Sequence, residues 1–171
     1  MALAVAIVLV PLLIGFYLSW RATRLDRLHH RVETSWAALD AALLRRGAAV
    51  LDLAAADVLA ADASRGLAEA ATAARRAGSH EREFLESCLS SALRRELERP
   101  GLPEAAVPFL REITESAKGV HLARTFHNDA VADTRRARRS RLVRGLRLAG
   151  GADLPDFFEM DDHPPHTCLL Y

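Results

Sequence analysis

The sequence predicts an all-α protein, in which an N-terminal transmembrane helix continues into an elongated antiparallel up-down bundle of three to four long helices. Three observations support this fold class. No charged side chain precedes Arg21. Apolar residues then recur at steps of three and four, and no stretch shows the alternation of a half-buried strand. We divide the chain into a transmembrane helix at 2–20, a helical bundle at 21–148 and an extended tail at 149–171.

The bulk composition fits a single domain and argues against several classes of function. With 171 residues, 23 basic and 22 acidic side chains, the net charge is +1, so the whole protein is not a polyanion binder. Cys88 and Cys168 form no disulfide framework and no CxxC pair. No nucleophile elbow, phosphate loop, HExxH motif or carboxylate pair occurs. The sequence therefore predicts no enzymatic activity and no cofactor.

The opening segment, MALAVAIVLVPLLIGFYLSW, is predicted to span a membrane. At about 1.5 Å per residue, residues 2–20 rise about 29 Å, which is close to the ~30 Å hydrocarbon core. Tyr17 and Trp20 lie where interfacial aromatic residues are expected, and Arg21, Arg24 and Arg27 follow them. The lipid bilayer is thus the first predicted partner.

A cleaved signal peptide and a buried core helix are the two alternatives for this segment. It has neither a basic start nor a small-x-small cleavage site. An uncharged run that ends in three spaced arginines is also unusual for a core helix. Because the positive charges lie on the C-terminal flank alone, we expect a single-pass protein of the cell membrane, with its N-terminus outside and its bundle in the cytoplasm.

The helices of the bundle follow from the spacing of apolar residues. Helix 1 continues from the span and has no clear stop before Ala61–Ser64, where Asp62 or Ser64 is expected to cap the next helix. Its apolar stripe is Leu25, Leu28, Val32, Trp36, Leu39, Leu43, Val50 and Ala54. A second helical region runs from Ser64 to about Glu98, with a bend expected at residues 77–79.

The sequence RPGLP, residues 99–103, must form a turn because it holds two prolines and a glycine. Helix 3 is expected to start near Pro103 and to end by Gly150-Gly151. Its stripe is Leu110, Ile113, Ala117, Val120, Arg124, His127, Val131 and Thr134. The tail has no periodicity. We expect its PDFFEM segment to dock on the bundle, and docking on a partner is the alternative.

Several polar residues lie in or beside these stripes, and we call them the polar seam. Its members are Trp36, Asp40, Arg46, Arg124, His127 and Asn128. Asp40 and Arg124 both stand roughly 30 Å along their helices, so we expect an ion pair covered by Trp36. We interpret the seam as structural, and a ligand pocket is the alternative. Of Arg45 and Arg46, one is expected to face water and the other to reach a carbonyl or a glutamate.

Three segments of the sequence resemble the LemA family. RLDRLHHRVETSWAALDAALLRR is similar to that family's V-x-x-x-W-x-x-(I/L)-D-x-x-L-x-R-R. The matching residues are Val32, Trp36, Leu39, Asp40, Leu43, Arg45 and Arg46. LARTFHNDAV resembles A-R-x-x-Y-N-x-x-V, with His127 in place of the tyrosine, and PDFFE resembles the family's closing F-F-E. The chain departs from the pattern at 48–53, at Ala117 and at Thr134-Arg135. The resemblance implies a membrane-anchored antiparallel bundle without enzymatic activity.

Two groups of arginines are candidate contact surfaces. The arginine run consists of Arg135, Arg136, Arg138, Arg139, Arg141, Arg144 and Arg147. It is either a solvated helix end or a surface for an anionic partner, and it lacks the aromatic residues or motif of specific nucleic-acid recognition. The basic collar consists of Arg21, Arg24, Arg27, Arg94, Arg95 and Arg99. We expect the collar to face anionic headgroups.

The tail sequence DDHPPHTC, residues 161–168, gathers metal-ligand types at spacings that match no standard site, so we predict no metal. We therefore expect an interaction or scaffold module at the cytoplasmic membrane, with unidentified protein partners. The alternatives are a ligand-sensing bundle with a pocket at the polar seam, and an anionic partner bound by the arginine run. The sequence leaves open whether the chain forms a homo-oligomer.

Overall fold

A computed structural model of the chain describes residues 1–79, 81–98, 101–139 and 153–161, without the side chains at 2–4 and 6. All secondary structure in these ranges is helical, which confirms the all-α class. The elements are α1 (Ala2–Ala55), α2 (Ala61–Arg76), α3 (Arg82–Leu97), a 3-10 turn (Glu104–Ala106) and α4 (Val107–Arg138).

Helix α1 is one uninterrupted helix of 54 residues that includes Pro11. This confirms the predicted continuity between the apolar segment and the amphipathic stretch that follows it. The helix is long and apolar enough near the N-terminus to cross a membrane. It ends at Ala55, and Asp57 then adopts a left-handed conformation with φ of 56°. Asp and Asn tolerate that conformation better than most residues, and it commonly follows a helix end.

The bend expected at residues 77–79 is a full break that separates α2 from α3. Gly78 accepts hydrogen bonds from the backbone of Glu81 and Arg82, and this turn restarts the chain as α3. The expected caps are wrong. Ala60 occupies the N-cap position of α2 without a side-chain cap, and Asp62 lies inside the first turn. An acidic residue in that turn interacts favourably with the helix dipole.

The turn predicted at 99–103 includes Gly101, whose φ is +90°. Pro103 is the residue before the 3-10 turn, so α4 begins at Val107, later than expected. Helix α4 is described to Arg138, and the end expected at Gly150-Gly151 lies outside the described residues. Six of its eight predicted stripe positions are fully buried: Leu110, Ile113, Val120, His127, Val131 and Thr134.

The chain divides into two compact units. Unit 1 comprises residues 1–35 and 127–157, and unit 2 comprises residues 36–126 and 158–171. Both α1 and α4 therefore contribute residues to each unit. The boundaries that we drew at 2–20, 21–148 and 149–171 stay predictions.

The main core of unit 2 is built from small and medium side chains, because α2 presents alanines to it. Helices α2 and α3 pack against each other. The core contains Ala49, Val50, Leu53, Leu67, Ala71, Ala74, Leu89, Ala92, Leu93, Leu97, Ala106, Leu110 and Ile113. A second cluster of unit 2 contains Leu39, Leu43, Val120 and Phe158.

Unit 1 has a smaller interior. Leu25, Ala130 and Val131 are buried there, together with Thr134, whose hydroxyl donates to the carbonyl of Ala130. The apolar side chains of α1 before Arg21 are exposed instead. They include Ile7, Val8, Leu9, Leu12, Leu13, Ile14, Phe16 and Trp20. Exposed apolar surfaces of this kind are typical of segments that contact lipid or protein.

Candidate functional site

A buried ion pair lies inside unit 2, between Arg46 of α1 and Glu86 of α3. Arg46 Nη2 donates to Glu86 Oε2 over 2.6 Å, and the two side chains are 4% and 1% exposed. Arg46 is buried because it lies three residues after Leu43 and four before Val50, on the face of α1 that packs into the core. Its neighbour Arg45 is exposed. This confirms that one arginine of the pair faces water and the other reaches a glutamate.

Further hydrogen bonds hold the Arg46 guanidinium in place. Nη1 donates to Ser90 Oγ over 3.0 Å, and Nη2 also donates to the backbone carbonyl of Glu86 over 3.2 Å. The Ser90 hydroxyl in turn donates to that carbonyl. Within the described part of the chain, Arg46 Nε is the one nitrogen of this guanidinium without an acceptor. A buried guanidinium needs several charge-assisted hydrogen bonds of this kind to offset the hydration that it loses on burial.

Arg82 extends the ion pair towards the surface. Its Nε donates to Glu86 Oε1 over 3.3 Å, and its Nη2 donates to Asp40 Oδ1 over 2.8 Å. The four side chains Asp40, Arg82, Glu86 and Arg46 thus alternate in charge, and we call them the ionic chain. The Asp40 side chain is 41% exposed, so the chain opens to water at that end.

The expected ion pair between Asp40 and Arg124 is therefore wrong, because Arg82 holds the Asp40 carboxylate. Our distance argument treated residues 64–98 as one helical region. The break before α3 instead places Arg82 in the first turn of a new helix, where it reaches Asp40. Arg124 is half-buried on α4.

The tail segment 158–161 lies on unit 2. Phe158 is 3% exposed and packs with Leu39, Leu43 and Val120. Its ring meets Trp36 edge-on at a centroid distance of 5.6 Å. Trp36, which is 36% exposed, therefore covers the tail residue Phe158. We had expected it to cover an Asp40–Arg124 pair.

Polar contacts to α3 hold the same tail segment. Glu159 N donates to Glu83 Oε1 over 3.0 Å, and Asp161 N donates to Ser87 Oγ over 3.1 Å. Arg94 Nη2 donates to Asp161 Oδ2 over 2.9 Å. Residues 83, 87 and 94 share one face of α3, because four and eleven residues are close to whole numbers of helical turns. The predicted docking of the PDFFEM segment is confirmed for Phe158 and for the partly buried Met160, whereas Phe157 is 38% exposed.

His127 is buried in unit 1, where it contacts α1 and the tail. Ser35 Oγ lies 3.3 Å from His127 Nδ1, and His127 is hydrogen-bonded to the backbone at Asp156 and Val32. Burial lowers the pKa of His127 below its ordinary value of 6.5, and the two backbone hydrogen bonds partly oppose this shift. Asn128, the next residue, is half-buried.

Two members of the arginine run bind the chain's own tail in unit 1. Arg135 Nε donates to the carbonyl of Pro155 over 2.6 Å, and the Arg135 guanidinium pairs with Asp156 and stacks on Phe157. Arg138 Nη1 donates to the carbonyl of Asp153 over 2.8 Å. Arg136 and Arg139 are exposed. Arg141, Arg144 and Arg147 lie outside the described residues.

The members of the basic collar differ in their surroundings. In unit 1, Arg24 and Arg27 are exposed, and the half-buried Arg21 guanidinium lies 5.8 Å from the centre of the Tyr17 ring. In unit 2, Arg95 is exposed, while Arg94 pairs with Asp161. Arg94 is therefore a contact of the tail, whereas we expected it to face anionic headgroups. Arg99 lies outside the described residues.

Sequence reasoning missed Arg82, Glu86 and Ser90. The sequence did indicate that these residues are buried. Glu86 and Ser90 are polar, but they fall on the same side of α3 as the apolar residues Leu89, Leu93 and Leu97. A buried charge needs a partner, which makes Arg46 the natural complement.

The ionic chain favours a structural role over a chemical one. Both carboxylate oxygens of Glu86 accept bonds from guanidinium groups, and arginine remains protonated at any pH where proteins work. In the described part of the chain, no group of three or more His, Cys, Asp and Glu side chains is placed to hold a metal ion. Asp161, the first residue of the DDHPPHTC sequence, binds Arg94, and the rest of that sequence lies outside the described residues.

The chain matches no known protein-family model, no curated protein and no solved structure. The resemblance to the LemA family stays a prediction that rests on the motifs around Trp36 and Arg124.

Removing Glu86 alone is expected to lower the stability of unit 2 more than removing both Arg46 and Glu86. Glu86→Ala leaves the Arg46 charge buried without a partner and should lower the free energy of unfolding by about 3–5 kcal/mol. The double variant Arg46→Met, Glu86→Leu should lie within about 1 kcal/mol of the parent or above it. Urea unfolding of the full chain in nonionic detergent, followed by circular dichroism, measures both values.

The matched control is Arg45→Met, which removes an exposed arginine next to Arg46 and should change the stability by no more than about 0.5 kcal/mol. A Glu86→Ala variant as stable as this control would contradict the role given to the ion pair.

His127 should make stability depend on pH. Its pKa is lower in the folded chain than in the unfolded chain, so the unfolded chain binds the proton more readily. The free energy of unfolding should therefore fall as the pH drops below about 6.5, by at most about 1.4 kcal/mol per pH unit from this group. In His127→Gln that contribution disappears.

Thermal unfolding at a series of pH values between about 7.5 and 5.5 measures this difference in slope. The control His121→Gln replaces an exposed histidine of the same helix and should keep the parental slope. Equal slopes in the parent and in His127→Gln would contradict the prediction.

Proposed function

We propose that this protein is a single-span membrane protein whose helical part, an antiparallel up-down bundle, serves as a non-enzymatic interaction module on the cytoplasmic side. The observation that carries the proposal is the change of character along the single helix α1. Before Arg21 its large apolar side chains are exposed, whereas after Arg21 the same helix buries one face and exposes the other.

The exposed start of α1 supports the membrane anchor. Leu9, Leu12 and Leu13 are 49–64% exposed, and no charged residue interrupts the segment. Leaving such a surface in water is costly, at about 25 cal/mol per Å² of apolar area, and a bilayer removes that cost. Tyr17 and Trp20, whose rings lie 6.3 Å apart, stand at the end of the segment where a membrane interface would be.

The charge distribution around the segment supports the orientation. Arg21, Arg24 and Arg27 follow the apolar residues directly, and residues 1–20 contain no basic side chain. Positive residues near a span are retained on the cytoplasmic side. The bundle, which follows these arginines, is thus proposed to lie in the cytoplasm.

The interior of unit 2 favours an interaction module over a ligand-sensing pocket at the polar seam. The ionic chain satisfies its charges internally, and Phe158 of the tail fills the space beside Trp36. On the outside, Leu122 and Phe126 of α4 are each 56% exposed and lie four residues apart, so they form an apolar pair on one helix face. The LemA resemblance also supports a membrane-anchored bundle without enzymatic activity.

Two double variants separate the anchor from the interaction. Leu9→Arg with Leu13→Arg places two charges in the middle of the apolar segment, each costing about 2.5–3.5 kcal/mol of insertion free energy. Carbonate washing should therefore extract this variant from the membrane fraction. The matched control, Leu122→Arg with Phe126→Arg, has the same spacing and charge and should stay in that fraction.

The interaction is tested in cells that incorporate a photoreactive leucine analogue. The parent should form a cross-linked complex, and Phe126→Arg, which keeps the analogue at position 122, should lose most of it. A parent that yields no cross-linked species would contradict the interaction module. A Leu9→Arg, Leu13→Arg variant that still resists carbonate extraction would contradict the anchor.

Orientation has its own test, because Lys118 is the only lysine of the chain and its side chain is 65% exposed. A membrane-impermeant amine reagent should label Lys118 in broken cells and leave it unlabelled in intact cells, as judged by peptide mass spectrometry. Lys118→Arg is the control that removes the labelled peptide. Labelling of Lys118 in intact cells would place the bundle outside.

A further inference from the structure

Unit 1 contains a pocket between α1 and α4, at the point where α1 leaves its apolar segment. Its volume is about 420 Å³. The lining residues are Arg21, Arg24, Leu25, Leu28, Arg31, Asp133, Arg136 and Ala137. The pocket thus combines an apolar floor, to which the buried Leu25 contributes, with a rim of guanidinium groups.

The rim carries more positive than negative charge, with four arginines and one carboxylate. Asp133 binds Arg31 at 3.1 Å and Arg136 at 3.6 Å. Within the described ranges, Arg21 and Arg24 form no ion pair with a carboxylate, and Arg21 Nε is buried without an acceptor. An anion that enters the pocket would therefore meet donors that the protein itself leaves unused.

The position of the pocket along α1 points to the source of that anion. Residues 21–31 rise about 15 Å from the end of the apolar segment, and the headgroup layer occupies the ~5–8 Å beyond each face of the hydrocarbon core. If residues 2–20 span the bilayer, Arg21 and Arg24 lie at headgroup depth. This step rests on the membrane anchor proposed above.

We propose that this pocket binds the phosphate group of an anionic glycerophospholipid from the adjoining leaflet. The guanidinium groups of Arg21, Arg24 and Arg136 are the donors for the phosphodiester oxygens, since arginine matches phosphate geometry with paired N–H groups. The chemistry recognised is a phosphate ester, and the lipid is its source.

The test uses native mass spectrometry of the full chain released from maltoside micelles, titrated with dioleoyl phosphatidylglycerol or dioleoyl phosphatidylcholine. The parent should bind phosphatidylglycerol at least about tenfold more tightly. Arg24→Gln with Arg136→Gln should remove that preference. The matched control, Arg27→Gln with Arg139→Gln, changes the same charge at exposed positions outside the pocket and should keep affinity within about twofold.

Each outcome has a definite meaning. Equal binding of the two lipids by the parent, or equal loss in both double variants, would overturn the site, because the effect would then be general electrostatics. Inorganic phosphate at millimolar concentration that displaces phosphatidylglycerol from the parent would overturn the lipid as source and leave a site for soluble phosphate esters. Absence of a lipid preference in a protein that resists carbonate extraction would contradict this inference while leaving the anchor intact.

Discussion

The buried pair of Arg46 and Glu86 is the constraint on which unit 2 depends. A guanidinium that is 4% exposed and a carboxylate that is 1% exposed tolerate very few relative positions of α1 and α3. Leucine and alanine side chains, which make up most of the surrounding core, accept many registers at similar cost. The ion pair therefore selects one register among several that the apolar surfaces alone would permit, which is the best-attested use of a buried charge.

The tail contacts depend on this register in turn. Once Glu86 faces α1, helical geometry turns Glu83, Ser87 and Arg94 to the face that receives residues 159–161. Asp40 and Leu39 are adjacent on α1, so the ionic chain and the Phe158 cluster share that helix. In unit 1 the tail is likewise held by polar contacts, because Arg135 and Arg138 bind tail carbonyls and His127 hydrogen-bonds to the backbone at Asp156.

Much of this arrangement is predictable from periodicity, and the limits of that prediction are physical. The spacing of apolar residues placed α1 and the buried face of α4, because burial follows from pattern alone. The sequence at residues 77–79 indicated a bend, whereas the structure has a full break there. The partner of Asp40 was not predictable in this way. The rise per residue estimates how far along a bundle a residue lies. The choice between Arg82 and Arg124 also requires the rotation of each helix about its own axis. The break between α2 and α3 changes that rotation, and we had not recognised it as a break. Glu86 was missed because a charged residue is normally assigned to the solvent face.

The place of Phe158 in the core has a consequence for how the chain matures. Its contacts with Leu39 and Leu43 join residues more than a hundred positions apart, and such long-range closures form late. A ribosome delivers Leu39, Leu43 and Val120 before Phe158. Until residue 158 emerges, the growing chain therefore carries an open apolar slot beside Trp36, and the acceptors on α3 are hydrated. A chain that stops short of Phe158 keeps this slot open.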